Sequence, residues 1–309
     1  MPYVTIQARS REDLLDSARL RWQAIRQARP DLEPALALQR ELLTGLMDLA
    51  AALAGGRLPR LSLPPKYLAA KLARGVPALA GEPIPLPVPV LTPTLFLLCD
   101  ALANGGAGEA ATHIREELSG GRLEATSLLT ASLNRDQAAL RTGAFHHGLS
   151  GDLMWLVAEL AVSPFAHALQ RMLFGSLGSG DLRDALDAWG HGYCPACGSW
   201  PAVAEVAGGH RALRCSFCAC AWELNTYACI YCGEAGEGFV TAAPNEERKD
   251  RRIEICAACG GYLKTIDVPE LSPFPLLSIS DIETTDLDVA AMEHGYARPG
   301  MKEFGARKG

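Results

Sequence analysis

Four Cys-x-x-Cys pairs carry the chemistry in this 309-residue chain: Cys194/Cys197 in CPACGSW, Cys215/Cys218 in CSFCAC, Cys229/Cys232 in CIYCGE and Cys256/Cys259 in CAACGGY. Two residues between cysteines let both sulfurs face into one turn, and two such turns brought together form a four-thiolate site for a tetrahedral metal ion. The glycine after the second cysteine (Gly198, Gly233, Gly260) allows positive φ, so each loop can curl and aim N–H groups at sulfur. These donors offset the charge of a metal held by four thiolates. The second pair departs from the pattern, with Ala219 at the glycine position.

Sequential pairing predicts one site from Cys194, Cys197, Cys215 and Cys218 and another from Cys229, Cys232, Cys256 and Cys259; an interleaved cross-brace is the competing arrangement. Both gaps suit short hairpins. Pro201–Val206, Arg211–Arg214 and Ala221–Asn225 read as the strands of a first three-stranded ribbon. Gly238–Thr241, Arg252–Ile255 and Tyr262–Ile266 read as a second, with a charged tip at Glu246–Arg251.

Other candidates carry weaker signals. Cys220 reads as a spare thiol or a substitute for Cys218, and His191 and His210 as runner-up ligands. His146 and His147 are adjacent, so they do not share a helix face, and they read as a loop pair. Cys99, in an apolar run, reads as a small buried hydrophobe. Dithiol catalysis would want a Cys-x-x-Cys at a helix N-terminus in a βαβ setting, and no such pattern surrounds these pairs. Acidic side chains outnumber basic ones between residues 191 and 267, which argues against a zinc-ribbon nucleic-acid binder.

The elements ahead of the cysteines read as helices. Ser10 with Asp13 marks a cap, followed by Leu14, Ala18, Trp22 and Ile25 at helical spacing. Asp31 and Pro34 open a second run that ends at Gly55-Gly56. The proline-rich stretch Leu58–Val90, including IPLPVPV, predicts an extended connector with one short helix near Lys66–Ala73. Further helices are expected over Thr94–Ala103, Gly108–Leu118, Arg135–Thr142, Asp152–Phe174 and Asp181–Trp189, giving roughly six to eight in an all-α bundle. Phosphate-loop, nucleophile-elbow, zincin and dinucleotide signatures are missing from this half.

A hydrophobic share of 49%, 21% charged residues and a mean hydropathy of +0.07 describe a globular chain. The net charge of -6 offers no general attraction to nucleic acid or anionic lipid. The apolar stretch Leu153–Leu177 contains Glu159, Pro164, His167 and Arg171, which predicts a buried helix rather than membrane insertion. The first residues lack an apolar leader core and the cysteines repeat as Cys-x-x-Cys pairs, so a cytoplasmic location is expected, where thiols stay reduced.

The strings CPACGSWP, RCSFCACAW, CIYCGE and ICAACGGYLKT, after a Leu/Ala-rich helical half and before SDIETTDLDVAAMEHGYAR, resemble the formate dehydrogenase accessory protein family, FdhE. The resemblance is strong over roughly residues 185–300. It implies a cytoplasmic accessory factor, not an enzyme and without catalytic residues. It also implies a partner, the molybdenum- or tungsten-, selenocysteine- and iron–sulfur-containing catalytic subunit of formate dehydrogenase, met before export. A rubredoxin-like iron in each four-cysteine site is implied too, with zinc as the alternative occupant. The expected fold class is α+β and multidomain: an all-helical domain over 1–188, rubredoxin-like or zinc-ribbon-like four-cysteine subdomains over 189–225 and 226–268, and a tail with a short helix over 269–309. Two other functions stay open, an electron-transfer or redox-sensing iron protein and a nucleic-acid-binding zinc ribbon.

Overall fold

Ser10 caps the first helix through its side chain, which accepts the Asp13 N–H at 3.1 Å. In the computed structural model, which describes residues 3–298 apart from 57, 60, 62, 176–179 and 244–248, the helices in chain order are α1 (Arg11–Ala28), α2 (Glu33–Ala54), α3 (Pro65–Leu72), α4 (Val88–Leu102), α5 (Gly108–Ser119), α6 (Ala125–Leu133), α7 (Gln137–His146), α8 (Gly151–Phe174), α9 (Asp181–Asp187), α10 (Leu277–Glu283) and α11 (Thr285–Glu293). The strands are β1 (Tyr3–Val4), β2 (Pro201–Ala207), β3 (His210–Cys215), β4 (Ala221–Glu223), β5 (Phe239–Ala242), β6 (Arg251–Cys256) and β7 (Tyr262–Asp267). The chain forms two compact units. One joins Ala8–Pro64 to Leu79–Leu177, and the other joins Met1–Gln7, Pro65–Ala78 and Gly178–Gly309. These units divide the chain differently from a linear boundary at residue 188.

The first unit is helical. α8 is its central element, packed on α2, α4, α6 and α7, and it buries Val157, Ala161, Phe165 and Leu169 completely. α8 and the α4–α5 stretch are long and apolar enough to cross a membrane, but 56% of the most apolar window of α8 is buried inside the protein. Two details differ from the sequence reading. The helix predicted from Thr94 begins at Val88, so the end of the IPLPVPV run is helical. Pro89 lies in the first turn, where its missing N–H has no intrahelical partner to lose. A helix over Ala125–Leu133 was not expected, because its Ser and Thr residues favour caps and turns until Leu128, Leu129 and Leu133 are buried.

The second unit is built on a sheet of order β1-β4-β3-β2-β7-β6-β5. The two predicted three-stranded ribbons are both present as antiparallel sets, β2-β3-β4 and β5-β6-β7. They are not separate, because β2 and β7 pair in parallel from Val203 with Lys264 to Val206 with Asp267. β1 extends the sheet through Tyr3 opposite Trp222. Of the predicted charged tip, Glu246–Arg248 lies outside the described residues, and Arg251 already belongs to β6. Among the described residues the tail holds two helices where one was expected. Leu277 of α10 packs with Val203, Ala219 and Ile266, and Leu287 and Ala291 of α11 pack with Ile253 and Tyr262.

Burial of charge ties this unit together. Glu205 and Arg214 form an ion pair with both side chains wholly inaccessible, and Arg214 also donates to the Ser272 carbonyl at 2.6 Å. Burial lowers the Arg214 pKa, and the Glu205 carboxylate opposes that shift. The buried Lys264 ammonium lies 2.8 Å from Asp281 and 2.7 Å from Asp288, and Arg298 reaches the same carboxylates at 2.7 and 2.6 Å.

Candidate metal centres

The local chain dictates the four turns. In each one the N–H of the first cysteine donates to the carbonyl five residues on: Cys194 to Ser199, Cys215 to Cys220, Cys229 to Glu234 and Cys256 to Gly261, at 2.8–3.0 Å. In three of them the residue after the second cysteine, Gly198, Gly233 or Gly260, donates back to the carbonyl of the first at 2.8–2.9 Å. These glycines have φ of 82°, 80° and 67°, and Ala219 at the matching position of the second turn has φ of 55°. The alanine therefore adopts the same left-handed turn and bears its steric cost.

The sheet then brings the turns together in sequential pairs. The sulfurs of Cys194, Cys197, Cys215 and Cys218 all lie within 4.8 Å of one another, and so do those of Cys229, Cys232, Cys256 and Cys259. Closest Sγ separations are 3.4 Å (Cys197 to Cys215), 3.6 Å (Cys194 to Cys218), 3.7 Å (Cys229 to Cys259) and 3.6 Å (Cys232 to Cys256). A tetrahedral metal with metal–sulfur bonds of about 2.3 Å needs sulfurs about 3.8 Å apart, so both quartets fit one ion each. The donor set suits zinc or iron alike.

N–H groups point at the sulfurs, as the turn chemistry requires. Phe217 and Cys218 donate to Cys215 Sγ at 3.4 Å, Tyr231 and Cys232 to Cys229, and Ala258 and Cys259 to Cys256. Burial pushes the Cys194, Cys215, Cys218 and Cys229 thiols well up and Cys259 to about 11, while at Cys256 N–H groups and the Cys232 thiol outweigh burial and lower the pKa. A metal ion bound by such a quartet would draw the protons off its thiols.

The remaining candidates fall outside both quartets. Cys220 is buried, with its thiol 4.0 Å from the Ala221 carbonyl. His191 stacks on Tyr193 with ring centres 4.9 Å apart, and the exposed His210 lies 3.6 Å from Glu223. His146 ends α7 rather than lying in a loop, and His147 Nδ1 is 3.2 Å from the buried Glu117 carboxylate. Cys99 is fully buried and burial pushes its thiol up to about 11.

Sequence reasoning missed what seats the turns. Residues 65–78 strap the first site: Ala78 N–H donates to the Pro195 carbonyl at 2.8 Å, and the Tyr193 hydroxyl donates to the Gly75 carbonyl at 2.8 Å. The two sites also touch. Trp200 packs edge-on against Tyr231, with ring centres 5.1 Å apart, and Gly192 lies so close to Ile230 that a Cβ there would stand 1.9 Å from its carbonyl oxygen. The signal for this contact was a glycine two residues before Cys194 that no turn required.

Fold and sites together define an α+β protein with, among the described residues, two four-cysteine clusters on one mixed sheet, each able to hold one metal ion. No family model matches the chain. It is 30% identical over 117 residues to an FdhE homologue of Aquifex aeolicus (36% of this chain, 41% of that protein) and 32% identical over 116 residues to one of Haemophilus influenzae strain PittGG (36% and 38%). It is also 38% identical over 81 residues to one of Pseudomonas putida (23% and 25%). The aligned stretches span less than half the length of each of these relatives. The crystal structure of the FdhE protein from Pseudomonas aeruginosa superposes with a TM-score of 0.58 at 24% identity, over 97% of this chain and 96% of that one. The chain is thus similar to FdhE homologues over part of its length and shares its fold with a solved FdhE protein.

Proposed function

We propose that this protein is a non-enzymatic accessory factor in the formation of formate dehydrogenase, binding the catalytic subunit in the cytoplasm before export. The observation that carries the reading is the family likeness, which joins the sequence matches to FdhE homologues with a fold shared along almost the whole chain. Each quartet offers four protein thiolates to one ion, a set that leaves no position for water or substrate, so the centres suit structural braces or electron carriers and not hydrolysis. Iron is the occupant the family likeness implies, and zinc satisfies the same sulfurs.

The test is capture of the formate dehydrogenase catalytic subunit by the full chain loaded with iron or with zinc. Equal capture by both forms supports a brace. Capture by neither form refutes the accessory reading. Capture that follows the oxidation state of iron favours the electron-transfer reading, which the solvent exposure of Cys232 also suits.

A further inference from the structure

The two quartets share a sequence signature and differ in access. Cys194, Cys197, Cys215 and Cys218 are all buried, at 0–5% exposure. In the second quartet Cys229 and Cys256 are buried, Cys259 is half-buried and Cys232 is exposed. The neighbouring Gly233 has nothing within 4 Å of where a Cβ would stand, so the Cys232 side of the site opens directly to solvent.

The buried side of the second site is joined to the C-terminal segment. Ala297 N–H donates to the Gly260 carbonyl at 2.9 Å, and Gly261 and Ala297 form a parallel bridge. Gly261 abuts both the Tyr231 ring and Cys259 Sγ, so the turn that carries Cys259 is also the turn that Ala297 grips. One residue on, Arg298 locks onto Asp281 and Asp288 and lies over the Tyr262 ring, 5.6 Å from its centre.

We propose that the second quartet is an exchange site for a thiophilic divalent cation, entered at Cys232, whose occupancy holds the Tyr296–Arg298 segment on the sheet, while the first quartet is a permanent brace. Cys232 is the ligand displaced first. Its sulfur–metal bond breaks as a donor atom of a competing chelator bonds to the ion, and the freed thiolate takes a proton from water; no electron is transferred. Once the ion leaves, the Cys256–Cys259 turn loses its anchor and the Gly260–Ala297 hydrogen bond opens with it. In the first site no sulfur is reachable until the sheet or the 65–78 strap opens, so its release follows a costlier local unfolding.

The inference rests on the metal-binding part of the function proposed above, and one experiment separates the two. The full chain is loaded with zinc and mixed with excess 4-(2-pyridylazo)resorcinol. Zinc release is followed by absorbance, iodoacetamide labelling by peptide mapping, and backbone opening by hydrogen exchange. The expected result is two phases of one equivalent each, the first on the order of tenfold or more faster, a gap of about 1.4 kcal/mol in opening. During the first phase label enters Cys232 and Cys259, exchange rises over 257–266 and 285–298, and 201–222 stays protected. Cys232→Ala is expected to lack the fast equivalent alone. Release of both equivalents in one phase, first labelling at Cys194–Cys218, or a fast phase that leaves 285–298 protected would each overturn the inference. A chain that binds no zinc overturns the metal reading itself.

Discussion

A single methyl group added at Gly192 tests whether the two metal sites share one packed surface. Its Cβ would stand 1.9 Å from the Ile230 carbonyl oxygen, 2.7 Å from the carbonyl carbon and 2.9 Å from Cα, all main-chain atoms that no rotamer change can move. Side-chain Cβ atoms essentially never approach within 3.0 Å of such neighbours, so one backbone must retreat by more than an ångström. Both are pinned. Ile230 sits between Cys229 and Cys232, whose turn is closed by the bond from Cys229 N–H to the Glu234 carbonyl at 2.8 Å. Gly192 sits between His191, whose carbonyl accepts the Trp222 indole N–H at 3.2 Å, and Tyr193, which is bonded to Gly75. Overpacking in a well-packed core costs roughly 1–3 kcal/mol and sometimes more, and a clash between two pinned backbones belongs at the upper end, at about 3 kcal/mol. For a unit of this size that lowers Tm by roughly 6–12 °C. The assay is thermal unfolding of the zinc-loaded chain by circular dichroism, with bound zinc measured in parallel. Gly190→Ala is the control, since nothing lies within 4 Å of a Cβ there. A Gly192→Ala chain that melts within about 1 °C of the Gly190→Ala chain and keeps both zinc ions would refute the shared surface.

Gly233→Ala, with open space around its Cβ, adds only left-handed strain of about 1–2 kcal/mol, and Ala219 already tolerates that conformation; urea unfolding should show this cost with zinc content unchanged. Glu205→Gln leaves the Arg214 guanidinium buried without its counter-charge and should cost about 3–5 kcal/mol of unfolding free energy, most of it recovered in the Glu205→Met/Arg214→Met double variant. Burial alone would raise the Asp281 pKa, but Arg298 and Lys264 outweigh it and hold the carboxyl below 3.8; its stabilising contribution is therefore present above that pH and lost as pH falls through the lower folded value. Asp281→Asn should accordingly lower Tm at pH 7, with the gap to wild type narrowing below pH 3.8. The Cys194→Ser/Cys197→Ser chain should keep the zinc of the second site, measured by elemental analysis; loss of both ions would show that the first site is a prerequisite for the second.

Features encoded by neighbouring residues were legible in the sequence. The Cys-x-x-Cys-Gly turns, their sequential pairing, the Ser10 cap and the antiparallel order within each ribbon follow from turn chemistry, short loops and side-chain period. Hence the eight cysteines brought together are those their spacing singled out. Features that depend on remote partners were not legible. Tyr3–Val4 becomes a strand only because β4, more than two hundred residues later, offers it an edge. The parallel β2–β7 pairing merges two ribbons that look independent, since no turn connects those strands. Buried charges at Glu205, Arg214 and Lys264 read as ordinary surface residues until their counter-charges arrive from elsewhere in the unit. The two cysteine quartets make the same point. One signature specifies both, yet packing by the 65–78 strap and β3–β4 closes the first, while the second keeps Cys232 in water. Ligand identity is written in local spacing; access to the ligands depends on which distant segments the fold lays over them.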